Sequence, residues 1–286
     1  MIWQEMITCT ETAQTVASDL AAVLEEPLVT LDADGSANPY KNETVESDDR
    51  VVIVASTTTS DAHLELLDIQ ERAAQRDPNE IITVIPYMGY ARQDKSFEEG
   101  EPISARAVAK AIGTGTDRVY AVNPHNVAVL DYFGVPSEPI DAAPELATSL
   151  PEDLEDPVFL GPDEDAVWLA ESVQEAYGTG HVDNFDKLRH SATEVKIDTG
   201  DRDFTGCDIV LVDDMIATGG TMSEAIRMLK DQDTGRVFVT CVHPVLAKDA
   251  ISRLSQAGVD DIYATNTIDR SVSRISAAAP IAQYLE

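Results

Sequence analysis

Residues 210–221 read Val-Leu-Val-Asp-Asp-Met-Ile-Ala-Thr-Gly-Gly-Thr, and this stretch decides the fold class. The run from Cys207 to Val212 is short, mostly apolar and rich in β-branched side chains, which is typical of a buried parallel strand. Two carboxylates follow where the strand is expected to end. A loop of glycine and threonine comes next, and then the segment Met222 to Lys230, whose apolar spacing predicts an amphipathic helix. The succession indicates an α/β protein.

The same stretch has the chemistry of a sugar-phosphate site. The glycines of the loop let the backbone approach an anion closely, its threonines offer hydroxyls, and the start of the following helix offers unpaired amides. Asp213 and Asp214 cannot bind a phosphate, but they suit the hydroxyls of a sugar or a metal ion. The alternative interpretation is that the acids only cap the helix and the glycines only form a tight turn.

The composition limits the classes of protein to which the chain can belong. Its 286 residues, 43% of them hydrophobic, suffice for two domains of about 140 residues each. The sequence has no apolar run of the roughly 18 residues that a membrane span needs, and its N-terminus lacks a secretory signal pattern. Three scattered cysteines without metal-ligand spacing favour a reducing cytoplasm.

The charge of the chain is unusual. Fifty-two acidic residues against twenty basic ones give a net charge of −32, which argues against nucleic acid as a partner. The hydrophobic fraction is too high for a disordered chain. A globular, acid-coated and lysine-poor protein is typical of an extreme halophile, because salt at 1 M screens charges within about 3 Å.

Predicted strands and helices alternate along both halves of the chain. This alternation predicts two doubly wound α/β units with parallel sheets, and the strands are expected at 50–55, 80–85, 118–122, 194–197, 207–212, 236–242 and 261–264. Prolines between 136 and 151 interrupt the pattern, so we place one domain at 1–145 and the other at 146–286. Each half has a strand followed by a hydroxyl-rich loop, at 56–59 and at 217–221, which is weak evidence of duplication.

A second informative stretch spans residues 86–106. Residues 86–95 read Pro-Tyr-Met-Gly-Tyr-Ala-Arg-Gln-Asp-Lys, and 100–106 read Gly-Glu-Pro-Ile-Ser-Ala-Arg. Arg92 and Lys95 follow a predicted strand, where ligands bind in open α/β sheets. Arg92 suits phosphate oxygens, and Gln93 suits the edge of a base. The alternative interpretation is a surface loop with two stray cations.

These stretches together resemble the ribose-phosphate pyrophosphokinase family, which makes 5-phosphoribosyl diphosphate (PRPP). Residues 210–221 are similar to the PRPP-binding signature that this family shares with type I phosphoribosyltransferases. Residues 86–106 are similar to its nucleotide-binding and subunit-contact region, which phosphoribosyltransferases lack. The resemblance extends from about residue 50 to 270 and includes Asn123-Pro124-His125, Gly161-Pro162-Asp163, Lys187-Leu188-Arg189 and Val242-His243-Pro244.

The resemblance implies the type I phosphoribosyltransferase fold in both domains. The first domain is then the nucleotide side and carries the oligomer contacts, and the second holds ribose 5-phosphate and the catalytic loop. The implied reaction transfers the pyrophosphoryl group of MgATP to O1 of ribose 5-phosphate and gives PRPP and AMP. The implied partners are ATP, ribose 5-phosphate and further copies of the chain, with Mg²⁺ as cofactor, in the cytoplasm and without nucleic acid or membrane.

The resemblance also implies a role for particular residues. Catalysis falls to Lys187 and Arg189, in a polar stretch at 182–193 that is expected to be a mobile loop. Ribose 5-phosphate is assigned to Arg189, Asp213, Asp214, Ala217, Thr218, Gly219, Gly220 and Thr221. ATP is assigned to Asp34, Gly35, Ser36, Arg92 and Gln93, and the metal to His125 and Asp163. Without the resemblance, the two catalytic cations would be ordinary solvated charges and His125 a histidine that caps the helix after it.

The sequence departs from the family pattern at four positions. Asp32 stands where the family has an aromatic residue that contacts the nucleotide, and Ser36 stands where it has a glutamate. Asn123 replaces an aspartate near the metal, and Ala217 replaces an aspartate in the phosphate loop. Asp32, Ser36 and Asn123 keep one alternative open, a weak or inactive paralogue that binds ribose phosphates or nucleotides and regulates an active synthase. A further alternative is a phosphoribosyltransferase that acts on a base, but the region at 86–106 argues against it, since that class does not need it.

Overall fold

The computed structural model describes residues 5–30, 50–96, 100–189, 195–198 and 203–286. The chain divides into two compact units. The first comprises Met1–Asp141, Thr267–Asp269 and Ser276–Glu286, and the second comprises Ala142–Asn266 and Arg270–Ile275. The C-terminal segment therefore completes the first unit. The functional roles assigned to residues 1–145 and 146–286 stay predictions.

Within its described residues, the first unit contains a six-stranded parallel sheet. Its strands in chain order are β1 (Glu5–Cys9), β2 (Leu28–Thr30), β3 (Arg50–Val54), β4 (Glu80–Ile85), β5 (Arg118–Val122) and β6 (Ser137–Ile140). They lie side by side in the order β2-β1-β3-β4-β5-β6. The connecting helices are α1 (Gln14–Leu24), α2 (Ser60–Ala74) and α3 (Ser104–Gly113), with 3₁₀ helices at Glu11–Ala13 and Val127–Tyr132 and a short C-terminal helix at Ala278–Ala282.

The central strands of this sheet are mostly apolar after their first residues, as expected where helices cover both faces of a sheet. Val51, Val52, Ile53 and Val54 of β3 have no exposed surface. The neighbouring β4 pairs with β3 in parallel register, Val52 opposite Ile82. Continuous β-branched runs therefore gave correct strand predictions here, since both faces require apolar side chains.

The second unit contains a second parallel sheet and a hairpin. Its strands are β7 (Val158–Gly161), β8 (His181–Asn184), β9 (Asp186–Arg189), β10 (Val195–Asp198), β11 (Ile209–Met215), β12 (Val237–His243), β13 (Asp261–Thr265) and β14 (Ser273–Ile275). Strands β9 and β10 form an antiparallel pair, and the described sheet has the order β14-β13-β12-β11-β7-β8. Its helices are α4 (Val167–Tyr177), α5 (Gly220–Lys230) and α6 (Ala250–Ala257), with 3₁₀ helices at Ala143–Ser149 and Glu164–Ala166.

The two described sheets have the same strand order. If the strands of each sheet are numbered one to six along the chain, both sheets read 2-1-3-4-5-6. The prediction of two doubly wound parallel α/β units is confirmed. No helix in the described part of the chain combines the length and the apolar character needed to cross a membrane.

Two local expectations were wrong. The acidic pair was expected after the end of its strand, but β11 continues through both acids to Met215. It does so because β12 keeps pairing with it, Asp213 opposite Cys241 and Met215 opposite His243. The stretch at 182–193 was expected to be a loop, but its described part lies largely in β8 and β9.

Candidate active site

The acidic pair lies at the carboxyl end of the second sheet, beyond the end of one neighbouring strand. Strand β7 pairs with β11 only as far as Leu211, so the acids of β11 extend past it on that side. Burial raises the pKa of Asp213 well above its ordinary value, and the nearby carboxylates of Asp214 and Asp163 raise it further. Three carboxylates close together favour a ligand that donates hydrogen bonds or carries positive charge.

The loop after β11 ends in an open helix N-terminus. Gly219 has φ +70°, a left-handed conformation that favours glycine, and α5 begins at the next residue. The amide of Ser223 donates to the carbonyl of Gly219 at 2.9 Å, so the amides of the three residues between them precede the helical ladder. Glycine also has no side chain that could cap these amides. The loop therefore presents donors to an anion.

The segment after β12 holds this loop in place. The amide of Leu246 donates to the carbonyl of Ile216, and the amide of Ala247 to the carbonyl of Ala217, both at 2.8 Å. Leu246 adopts a positive φ of 47° to make this approach. The phosphate-loop candidate is thus fixed by backbone hydrogen bonds, which suits a preformed binding site.

Arg92 and Gln93 are exposed at the carboxyl end of the first sheet, in the loop after β4. The amide of Gln93 donates to the carbonyl of Tyr90 at 2.8 Å, and Tyr90 itself has φ +64°. The side-chain amide of Asn126 donates to the carboxylate of Asp94 at 2.6 Å, which joins this loop to the loop after β5. The first unit therefore brings the loop of the predicted ATP-binding residues Arg92 and Gln93 together with the loop that carries the predicted metal residue His125.

His125 is exposed in the loop after β5. The 3₁₀ helix that follows is capped by Asn126, whose side-chain oxygen accepts from the amide of Ala128 at 3.0 Å. Asn123 is buried at φ +35° and donates its side-chain amide to the carboxylate of Asp141 at 2.8 Å. The cap therefore does not depend on His125. The family has an aspartate in place of Asn123, and here a carboxylate is supplied by Asp141, which lies beside Asn123 in space.

Other predicted site residues are placed in part or lie outside the described residues. Lys187 and Arg189 lie on β9, opposite Ile197 and Val195 of β10. Asp34, Gly35 and Ser36, together with Asp32, fall outside the described residues. The site roles of all these residues stay predictions.

The described residues contain no group of three or more histidine, cysteine, aspartate or glutamate side chains arranged to hold a metal ion. Of the two predicted metal residues, Asp163 lies in the second unit and His125 in the first. Mg²⁺ normally keeps only one or two protein carboxylates and takes its other ligands from water and substrate phosphates. The single carboxylate of Asp163, close enough to Asp213 to raise the pKa of that acid, fits that mode of binding.

Sequence reasoning missed two neighbours of the site. Asp141 could be found only from the pairing of β5 with β6, which places the ends of these strands together. Cys241 lies opposite Asp213 on β12. Burial raises the pKa of its thiol well above the ordinary value, and Asp213 adds to the effect. Cys241 therefore stays neutral beside the acids, and no sequence signal indicated this contact.

Comparison with known proteins identifies the family of the chain. A model of the N-terminal domain of ribose phosphate pyrophosphokinase matches residues 4–115, and a model of the phosphoribosyl synthetase-associated domain matches residues 191–280. A crystal structure of phosphoribosylpyrophosphate synthetase from Mycobacterium smegmatis superposes with a TM-score of 0.80 at 25% identity. The match covers 99% of this chain and 97% of that one.

Curated relatives cover most of the chain. A Halobacterium salinarum protein named ribose-phosphate pyrophosphokinase is 51% identical over 98% of this chain and 100% of its own length. A Methanosarcina mazei protein of the same name is 46% identical over 85% of this chain and 81% of its own. The Halobacterium match supports the halophilic character expected from the composition. The chain belongs to the ribose-phosphate pyrophosphokinase family.

Proposed function

We propose that this chain transfers the pyrophosphoryl group of MgATP to O1 of ribose 5-phosphate, giving PRPP and AMP. The observation that carries the proposal is the pairing of two carboxylates with an open glycine loop at one end of the second sheet. Carboxylates and helix amides at that spacing match the hydroxyls and the phosphate of one sugar phosphate.

In this proposal the second unit binds the acceptor. Asp213 and Asp214 accept hydrogen bonds from the ribose 2- and 3-hydroxyls, and the amides and hydroxyls of residues 217–221 bind the 5-phosphate. The hydroxyl donors replace the water that Asp213 loses on burial, so ribose favours the ionised carboxylate. Binding at both ends fixes the orientation of the sugar and hence of O1.

The donor is bound by residues of the first unit and by β9. Arg92 holds phosphate oxygens and Gln93 reads the base, with Asp34, Gly35 and Ser36 contributing to the nucleotide pocket. Lys187 and Arg189 neutralise the group in transfer as O1 bonds to the β-phosphorus and AMP leaves. Most of the catalysis is then positioning and charge neutralisation.

Mg²⁺ when bound neutralises the triphosphate and orients it. His125 and Asp163 are the residues we propose to hold it, directly or through water, alongside the phosphate oxygens. We also propose that the protein acts in the cytoplasm and forms a homo-oligomer through its first unit.

The alternatives have less support. A purely regulatory paralogue has no need of Lys187 and Arg189, both of which the sequence retains. A phosphoribosyltransferase acting on a base has no need of the 86–106 region, which falls within the match to the pyrophosphokinase N-terminal domain.

The direct test is an assay of AMP and PRPP. The protein is mixed with MgATP and ribose 5-phosphate in multimolar KCl, with folding checked by circular dichroism in the same buffer. Equal amounts of AMP and PRPP are expected. Folded protein that forms no AMP would contradict the proposal, and AMP formed only with an added active subunit would favour the regulatory alternative.

A further inference from the structure

Helix α6 packs directly against the phosphate-loop candidate. A Cβ atom added to Gly219 would lie 3.4 Å from the carbonyl oxygen of Ala250 and 3.4 Å from Cγ of Leu254. Both are α6 residues, and Leu254 has no exposed surface. The backbone of α6 therefore lies at a defined distance from the loop.

Arg253 lies next to Leu254 and reaches the loop at Gly220. A Cβ atom added to Gly220 would lie 4.0 Å from Nη1 of Arg253 and 3.8 Å from Oγ1 of Thr218. No other described atom outside the adjoining backbone lies within 4 Å of that point. A guanidinium and a hydroxyl thus border an open space above Gly220, at the start of α5.

Asp249 orients this guanidinium. Nη2 of Arg253 donates to the two carboxylate oxygens of Asp249, at 3.1 and 3.3 Å, one helical turn away. The pKa of Asp249 is lowered by a hydrogen bond from its own backbone amide and then by the bond from Arg253. Because Nη2 is engaged by Asp249, Nη1 is the nitrogen that faces the loop.

We infer that Arg253 contacts the 5-phosphate of ribose 5-phosphate bound in the loop at 217–221. The inference rests on the proposed acceptor site and adds to it a residue outside the 217–221 loop. A dianionic phosphate in the loop needs positive charge, and helix amides supply only partial charges. A guanidinium hydrogen-bonded to phosphate adds a charge-assisted contact at short range. Such contacts persist in concentrated salt, whereas longer-range attraction is screened.

The test compares Arg253→Ala with Arg227→Ala, an exposed arginine near the other end of α5. For R253A we expect the KM for ribose 5-phosphate to rise about tenfold, with kcat and the KM for ATP nearly unchanged. R253K should recover part of the loss, since lysine keeps the charge but not the fork of donors. R227A should behave as wild type.

A second readout does not depend on turnover. Calorimetric titration without ATP should show ribose 5-phosphate binding about tenfold more weakly to R253A than to wild type. Inorganic phosphate should likewise compete less well for R253A, while ribose, which lacks the phosphate, should bind both proteins equally. Melting curves in the same KCl identify any variant that has lost its fold.

Gly220→Ala tests the open space itself. Gly220 does not have a positive φ, so alanine is compatible with the backbone, but its methyl group would enter the space beside Arg253. G220A should weaken ribose 5-phosphate binding, and R253A should cost less in that background than in wild type.

Three results would overturn the inference: equal loss of ATP and ribose 5-phosphate affinity in R253A, unchanged affinity in R253A, or additive effects of G220A and R253A. Failure of the proposed function is separate, because it would appear as absence of turnover and of ribose 5-phosphate binding in the wild-type protein.

Discussion

The two units share more than their strand order. Asp117 precedes the fifth strand of the first sheet, and its carboxylate and amide pair with the amide and carbonyl of Ile81, both at 2.8 Å. Asp260 precedes the fifth strand of the second sheet and makes the same two bonds with Val237, at 2.7 and 2.8 Å. This repeated arrangement, which we call the strand-five clamp, strengthens the case for an internal duplication.

The units differ in the loop after the third strand. In the first unit the hydroxyls of that loop are used internally: Ser56 donates to the carbonyl of Thr267 at 2.6 Å, Thr57 accepts from the amide of Gly89 at 2.9 Å, and Thr59 caps α2. In the second unit, glycines leave the helix start open. Hydroxyl-rich loops at equivalent places therefore differ: Thr59 caps the helix after the first loop, whereas no side chain caps the helix after the second.

The largest effect that we predict concerns the β9–β10 hairpin, which has no counterpart among the described residues of the first unit. Lys187→Ala should lower kcat more than about 100-fold, because in the proposed mechanism Lys187 neutralises the group in transfer. Affinity for ribose 5-phosphate, measured by calorimetry, should change little. Wild-type rates would show that catalysis does not depend on this hairpin.

The two third-strand loops can be compared by matched Thr→Val changes. Thr57→Val leaves the buried amide of Gly89 without its acceptor and should lower the free energy of unfolding by about 2 kcal/mol. Thr218→Val should leave stability unchanged but weaken ribose 5-phosphate binding several-fold. Denaturant titrations and substrate affinities check both. The reverse pattern would mean that the first loop is the ligand site.

The two strand-five clamps should contribute equally to the free energy of unfolding. Asp117→Ala and Asp260→Ala each remove the acceptor of one strand amide and should each cost about 1 kcal/mol in the free energy of unfolding. Asp260 also pairs with Lys230 at 2.9 Å, but that pair is partly exposed and adds little. If removal of one clamp left the free energy of unfolding unchanged, the two clamps would be alike in geometry but not in their contribution to stability.

The smallest effect that we predict is the contribution of Asp213 to the pH dependence of folding stability. Burial raises its pKa in the folded state, so the folded protein binds more protons and loses stability as pH rises between the unfolded and the folded pKa. Asp213→Asn should therefore raise the melting temperature of the substrate-free protein at neutral pH by a few degrees. The difference should vanish below about pH 4. A variant that melts lower at neutral pH would contradict this sign.

Much of the architecture was predictable from local patterns. The bounds of β4 and β5 match the predicted strands, because an apolar β-branched run has few alternatives inside a covered sheet. Short strands such as β1, β6 and β14 were missed, since each is brief and takes its identity from the strand beside it. Strand β11 was likewise predicted to end before Asp213, because its extension to Met215 depends on pairing with β12.

The sequence by itself determined the two parallel α/β units, the acid-and-glycine motif of the proposed acceptor site and the family. All of these follow from patterns of residue types within short, contiguous stretches of the chain. Only the tertiary structure decided which hydroxyl loop stays open, that Asp141 lies beside Asn123, and that Arg253 faces Gly220. These depend on hydrogen-bond partners and neighbours far away in the chain, which a local pattern does not contain.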